Sequence, residues 1–292
     1  MKRTAFVLIA ILIGCHFSHA VKKIHVKTES EFIKAIGSDR VIILDQDIRL
    51  NLSDVLEDKV TCKSLGITWI ENSDEAINPD QKYSEGCFDG RQLVIKYVKN
   101  LTIEGEKGAE IVVNPHYANV IRFSWCKNIN INNMTLGHTE EGYCEGSVLY
   151  FNDCENVQIK NSDMYGCGTY GIEARSTVGL KCLSSIIRDC SYGIMTLRDV
   201  QNVEFTRCDF MRCREYGLIE VYGKSQNVTF RECRFAQNIG TLFSTHTLLQ
   251  VYYCEIHHSS SILIEDDELL DIVGCTIDTS QEPLEPRAIG PA

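Results

Sequence analysis

The densest group of chemically capable side chains lies in "GHTEEGYCEGS", residues 137–147, with His138, Glu140, Glu141, Tyr143, Cys144 and Glu145 together. Imidazole and carboxylate side chains in one loop can take and return protons, and a tyrosine ring can stack on a sugar. "YGCGTYG", 165–171, follows closely and adds Tyr165 and Tyr170. His138 is therefore a candidate acid/base, and Glu140, Tyr143, Glu145, Tyr165 and Tyr170 are candidate binding residues. A cysteine hydrolase built on Cys144 and His138 matches no established signature at six-residue spacing. Zinc at the same pair lacks two further ligands at recognisable spacing, so no metal and no cofactor are expected.

A second set of acids appears once the chain is aligned on itself. Leu101, Ile129, Val157, Leu180, Val203, Val228, Leu249 and Leu270 each begin a similar segment, at intervals of 21 to 28 residues. The shared template is apolar-x-apolar-x-x-apolar-x-apolar, which reads as two short strands and a turn. A third strand follows the Tyr-Gly pairs at 170–171, 192–193 and 216–217. Self-similarity at this period marks a solenoid. Helical repeats would show a 3.6-residue period, and leucine-rich repeats need a fixed leucine and asparagine pattern; both are missing. The outward position of the second strand reads Asp163, Ile186, Asp209, Arg234, Glu255 and Thr276. Asp163 and Asp209 stand two rungs apart, roughly 9–10 Å, near the upper limit for an inverting acid/base pair. They are the other catalytic candidates. Arg234 beside Glu255 reads as a surface ion pair.

Stacking also explains the cysteines. Cys208, Cys233, Cys254 and Cys275 share one inward column, which Ser162 and Ser185 continue; Cys167, Cys190 and Cys213 share another, and Cys126 and Cys154 a third. Exchange with serine selects size over bonding, so these columns are expected as buried, reduced ladders. Cys62 and Cys87 fall in a polar insertion outside the repeat and are expected to form a disulfide.

"VKTESEFIKAIGSD" precedes the repeats and reads as a short amphipathic helix capped by Thr28 or Ser30, with Phe32, Ile33 and Ile36 on one face. "RVIILDQDIRL" follows as a first strand. A helix over the first rung hides the sheet edge, as solenoid ends require. The expected organisation is a signal peptide over 1–20, one β-helix domain over 21–280 and a disordered tail over 281–292.

Residues 1–20 carry Lys2 and Arg3 before an apolar run, Ala5–Ile13, too short to span a bilayer. "SHA" at 18–20 suits cleavage and release. "LIGC" at 12–15 resembles a lipobox, in which Cys15 would carry a lipid and anchor the chain. The expected location is exported: secreted, periplasmic or an outer-surface lipoprotein, touching membrane only through that lipid. Removing the segment makes the net charge, −11 for the whole chain, two units more negative. Such a surface disfavours nucleic acid, which needs a basic face.

From Ile24 to about Ser280 the chain resembles the right-handed parallel β-helix proteins of the pectate-lyase-like superfamily. "NLTIEG", "CKNININNMTLGH", "CENVQIKNSDMYGCGTYGI" and "SQNVTFRECRF" carry the likeness. "GHTEEGYCEGSVLYF" followed by "YGCGTYGI" is further similar to a group of bacterial exported β-helix proteins. The resemblance implies an all-β right-handed solenoid with an N-terminal capping helix. It leaves activity open, because the superfamily includes lyases, hydrolases, esterases, adhesins and scaffolds. Its glycan-cleaving members place acids, arginines or calcium on the outer strand face. Two readings remain: a binding or scaffolding protein for extracellular polysaccharide, or a polysaccharide lyase or glycoside hydrolase.

Overall fold

Each repeat folds into one turn of a parallel β-solenoid, because its apolar residues alternate and its corner residues tolerate left-handed backbone. The computed structural model describes residues 22–71, 82–139, 146–166, 170–257, 267–278 and 284–289. Sheet 1 has ten strands, and sheets 2 and 3 have nine each, all among the described residues. The repeat anchors pair rung by rung in sheet 1: Leu101 with Ile129, Val157, Leu180, Val203, Val228, Leu249 and Leu270 in turn. In-register pairing stacks like on like inside, as in Phe205 on Phe230 at 5.1 Å and Phe123 on Phe151 at 5.4 Å.

The corners are held by polar ladders. Asn100, Asn128, Asn156, Gly179, Asn202 and Asn227 each have φ between 54° and 75°. Asparagine and glycine are the residues that accept this conformation at least cost. Asn128 donates to Asn100 at 2.7 Å, Asn156 to Asn128 at 3.0 Å and Asn227 to Asn202 at 3.0 Å.

The described thiols form ladders as the repeat requires, and every described cysteine is free; Cys167 of the second column lies outside the described residues. Cys208, Cys233 and Cys254 are buried, with burial pushing the Cys208 and Cys233 thiols well up. Cys275, expected to be equally buried, is only half-buried because it sits on the last rung. The expected Cys62–Cys87 disulfide is not formed. Cys62 lies in helix Lys59–Ser64 and donates to the carbonyls of Val55 and Leu56 at 3.3 and 3.5 Å. Cys87 ends a strand, with its sulfur 3.7 Å from the Asp89 carboxylate, and its pKa is pushed up to about 11, chiefly by burial.

The capping helix is Glu29–Ala35, and the Thr28 hydroxyl accepts from Glu31 N–H at 3.2 Å. It buries Phe32, Ile33 and Ala35. Its place in the chain differs from expectation. Strand Lys22–Val26 precedes it and pairs directly with Arg40–Leu44. "RVIILDQDIRL" is split by a corner at Asp47, φ 57°, giving Arg40–Leu44 to sheet 1 and Arg49–Asn51 to sheet 2. The insertion adds strands Thr68–Ile70 and Lys82–Cys87 to the edge of sheet 3, the latter antiparallel to Gly90–Lys96.

Candidate functional site

The sequence candidates separate in space. His138 does not stand in a projecting loop. It ends strand Thr135–His138, pairs with Val113 and is 3% exposed. Its Nε2 meets the Ala118 carbonyl at 2.8 Å, and burial pushes its pKa down to about 4. It is a buried neutral imidazole, not a solvent-facing acid or base. Glu140, Tyr143 and Glu145 lie outside the described residues, as do Glu141, Cys144 and Cys15.

The second-strand column lines up as the repeat indicates, Asp163 through Ile186, Asp209, Arg234 and Glu255 to Thr276. Its two aspartates are committed to arginines. Arg188 grips Asp163 through Nε and Nη2 at 2.9 and 2.8 Å. Arg234 turns from Glu255 to Asp209, which is 1% exposed. Residues 284–289, expected within a disordered tail, run across this sheet as a strap. Arg287 N–H donates to Asp209 at 2.6 Å, and Arg234 donates to the Glu285 carbonyl at 3.1 Å. The strap roofs one side of a groove of about 690 Å³ that includes Lys160, Arg207, Glu232 and Tyr253. Bidentate arginine occupies the acceptor positions that a substrate would need on both carboxylates. Tyr165 belongs here too, donating to Glu110 beneath the Arg188 guanidinium. Burial and that carboxylate push its pKa up to about 12.

The third sheet holds a different arrangement. Its outward column reads Arg122, Tyr150, Glu173, Thr196, Glu220 and Ser244, in register on six consecutive rungs. The inward neighbours Ile121 and Phe123, Leu149 and Phe151, Ile172 and Ala174 fix the strands beneath it. Arg122 stacks over the Tyr150 ring at 4.8 Å and reaches Glu85 at 3.3 Å, a carboxylate also held by Gln92 at 2.9 Å. Its Nε is buried with no hydrogen-bond partner among the described residues. Ser147 donates to Glu173 at 3.2 Å. Tyr170 donates to Glu220 at 2.5 Å and meets Tyr192 edge-on at 5.7 Å. Burial and the Glu220 carboxylate push the Tyr170 phenol well up, and burial raises Tyr150. Both phenols therefore stay protonated and can donate.

Glu173 and Glu220 stand two rungs apart, roughly 9–10 Å, with Thr196 between. Arg122, Tyr150, Glu173 and Glu220 are not among the candidates from sequence, whose outward column is that of the second strand. The signal was present in the third strands "VLYFN", "GIEAR", "GIMTL" and "LIEVY". Of potential metal ligands, His25, Asp45 and Glu106 lie within 4.8 Å of one another. Asp45 is already paired with His25 and Lys27, and Glu106 accepts from Gln46 N–H, so structural contacts occupy the group.

A family model for the right handed beta helix region matches residues 119–282, more than half of the chain. The chain belongs to the right-handed β-helix family. It is 24% identical over 135 residues to a capsule K1-specific depolymerase of Klebsiella phage K64-1, covering 42% of this chain. This chain spans only about 15% of that relative's length. A pectate lyase of Paenibacillus sp. 0602 superposes with a TM-score of 0.56 at 8% identity, over 82% of this chain and 72% of that one. An alginate lyase of Paenibacillus sp. FPU-7 gives 0.54 at 10% identity, over 89% and 97%. At such identities the structural matches establish the β-helix fold alone.

Proposed function

We propose that this β-helix protein is exported and binds an extracellular polysaccharide along the outer strip of sheet 3. The observation that carries the reading is the in-register row from Arg122 to Glu220, with a donor, an aromatic or an acid on nearly every rung. A polymer of repeating sugars meets a row of groups repeating every 4.8 Å or so, and polar side chains with aromatic rings are what such a ligand requires. The phage depolymerase and the pectate and alginate lyases are named for action on polysaccharides, which supports the ligand class. A glycan array of plant, algal and capsular polysaccharides tests it. Binding by the native chain, lost in Arg122→Ala with Glu173→Gln, is expected. No binding, or equal binding by the double variant, rejects the strip.

Hydrolysis of the bound glycan is the second reading, favoured by the Glu173–Glu220 separation, which suits an inverting pair. Reducing ends released by native protein but not by Glu173→Gln or Glu220→Gln would establish it. Unsaturated ends absorbing in the ultraviolet would indicate elimination instead. Binding without either product leaves a binding protein.

A further inference from the structure

Tyr97 and Trp125 follow strands Gly90–Lys96 and Ile121–Ser124 at the corner between sheets 3 and 1. Their backbone amides continue the ladder, Tyr97 to the Ser124 carbonyl at 3.1 Å and Trp125 to Asn152 at 2.9 Å. The same corner is filled on later rungs by Asp153, Ser176, Asp199 and Gly223, all at φ between 48° and 68°. Tyr97 and Trp125 share that conformation, at 59° and 53°. A left-handed backbone suits Gly, Asn and Asp; for a bulky side chain it is an outlier. Nor does burial compensate, because the two residues are 46% and 43% exposed. Their rings are stacked, centroids 5.3 Å apart and planes within 13°. Beyond Trp125 the column continues with Asp153, short and exposed, whose carboxylate accepts from the Asn152 amide at 2.7 Å. At this corner two large exposed rings, stacked on each other, stand where the later rungs place short polar residues or glycine, a departure from the repeat that points to use.

We propose that Trp125 and Tyr97 form a sugar-stacking platform, a second carbohydrate contact separate from the sheet 3 strip. A pyranose ring continues the stack over Trp125, its C–H face against the electron-rich indole. Its hydroxyls donate to the Asp153 carboxylate, which is acceptor-only when ionised, and exchange hydrogen bonds with Asn152. The Lys96 ammonium also lies 5.6 Å from the Trp125 centroid but is buried, so the exposed acid at the rim sets the preference: it favours neutral sugars over uronates, and the ligand is a neutral hexose or N-acetylhexosamine chain. The ligand class rests on the polysaccharide reading above; the site does not.

The chain has two tryptophans, and the other, Trp69, is covered by the Arg91 guanidinium at 3.5 Å. A ligand-dependent emission change is assigned to Trp125 by its loss in Trp125→Phe. The full chain is titrated with hexasaccharides of β-1,4-linked glucose, mannose and N-acetylglucosamine, by fluorescence and by calorimetry. At least one is expected to give a saturable emission change. Calorimetry should show at least tenfold weaker binding in Trp125→Asn and retained binding in Trp125→Phe. Asparagine suits the left-handed backbone, so Trp125→Asn should melt at or above the native temperature, separating lost binding from lost folding. No saturable change with any of the three, or equal affinity in Trp125→Asn, overturns the platform. Array binding that depends on Arg122 while the hexasaccharides leave emission unchanged removes the platform and keeps the strip. A Trp125-dependent hexasaccharide with array signals indifferent to Arg122 does the converse.

Discussion

His138 shows how one residue's surroundings reverse its chemistry. Burial moves its pKa from 6.5 to about 4, so the folded chain refuses a proton that the unfolded chain accepts between those values. The stability from the neutral imidazole is full above pH 6.5 and is lost as pH falls through 4, a span worth about 3 kcal/mol. His138→Gln should therefore lose less stability than native protein from pH 6.5 to 4, read by thermal melts across that range. Parallel losses would mean that the ring is not buried. The thiols were readable beforehand where His138 was not. A stack advertises itself by repeating the same small residue, as Ser162, Ser185, Cys208 and Cys233 do, all of them buried. His138 has no such partner on other rungs, and the run of polar residues after it disguised the end of a buried strand. Cys233→Asp should prevent stable folding by placing an unpaired charge in that stack, whereas Cys233→Ser should cost about 1–2 kcal/mol. Alkylation of native and denatured protein, mapped by peptide mass, checks the reduced state: Cys208 and Cys233 should label only after denaturation, because their raised pKa suppresses the thiolate.

Among the elements, strands and register were legible and corners were only partly so. Apolar anchors at fixed intervals fix the pairing, since a one-residue slip would turn every inward side chain outward. The first rung lacked the template, so the break between Arg40–Leu44 and Arg49–Asn51 was hidden in one apolar-looking run. The candidate strip was missed for a related reason: the third strands carry it, and their spacing from the anchors varies with the loops before them. The asparagine corners give a sharp test. Asn128 donates to Asn100, accepts from Asn156 and sits at φ 56°. Asn128→Gly keeps the backbone and loses the two amide bonds, for about 1–2 kcal/mol. Asn128→Ala loses the same bonds and adds roughly 1 kcal/mol of left-handed strain. Chemical denaturation should rank native above Gly above Ala; Ala as stable as Gly would show that the corner backbone relaxes.

On the scale of the whole molecule the two ends are unlike. The N-terminal rung is covered by helix Glu29–Ala35, with Phe32 and Ile33 fully buried. At the other end Ile272, Val273 and Ile277 on the last strands are exposed. In a solenoid each rung contacts only its neighbours, so a rung whose apolar strand residues are exposed frays before an enclosed one. The strap, residues 284–289, changes this balance from a different place. From Glu285 at Arg234 to Arg287 at Asp209 it runs back across the rungs, tying separate turns through a carboxylate that is almost fully buried. Arg287 also donates to the Glu232 carbonyl at 2.9 Å. A chain stopped after residue 283 removes the Arg287 amide and guanidinium from Asp209, leaving Arg234 as its partner. Hydrogen bonds to a charged group are worth about 1.5–3 kcal/mol, so the truncated chain should be less stable by about that amount. The loss should be local. Hydrogen exchange should quicken in strands Asp209–Met211 and Arg234–Ala236 and leave strand Gly90–Lys96 of sheet 3 unchanged, because strands remote from the strap keep every contact they had. Asp209→Asn should cost less in the truncated chain than in the full one, since part of what the carboxylate holds is already gone. Uniform quickening along the solenoid would show a single cooperative unit instead, and unchanged exchange would show that the strap contributes nothing to holding these turns together.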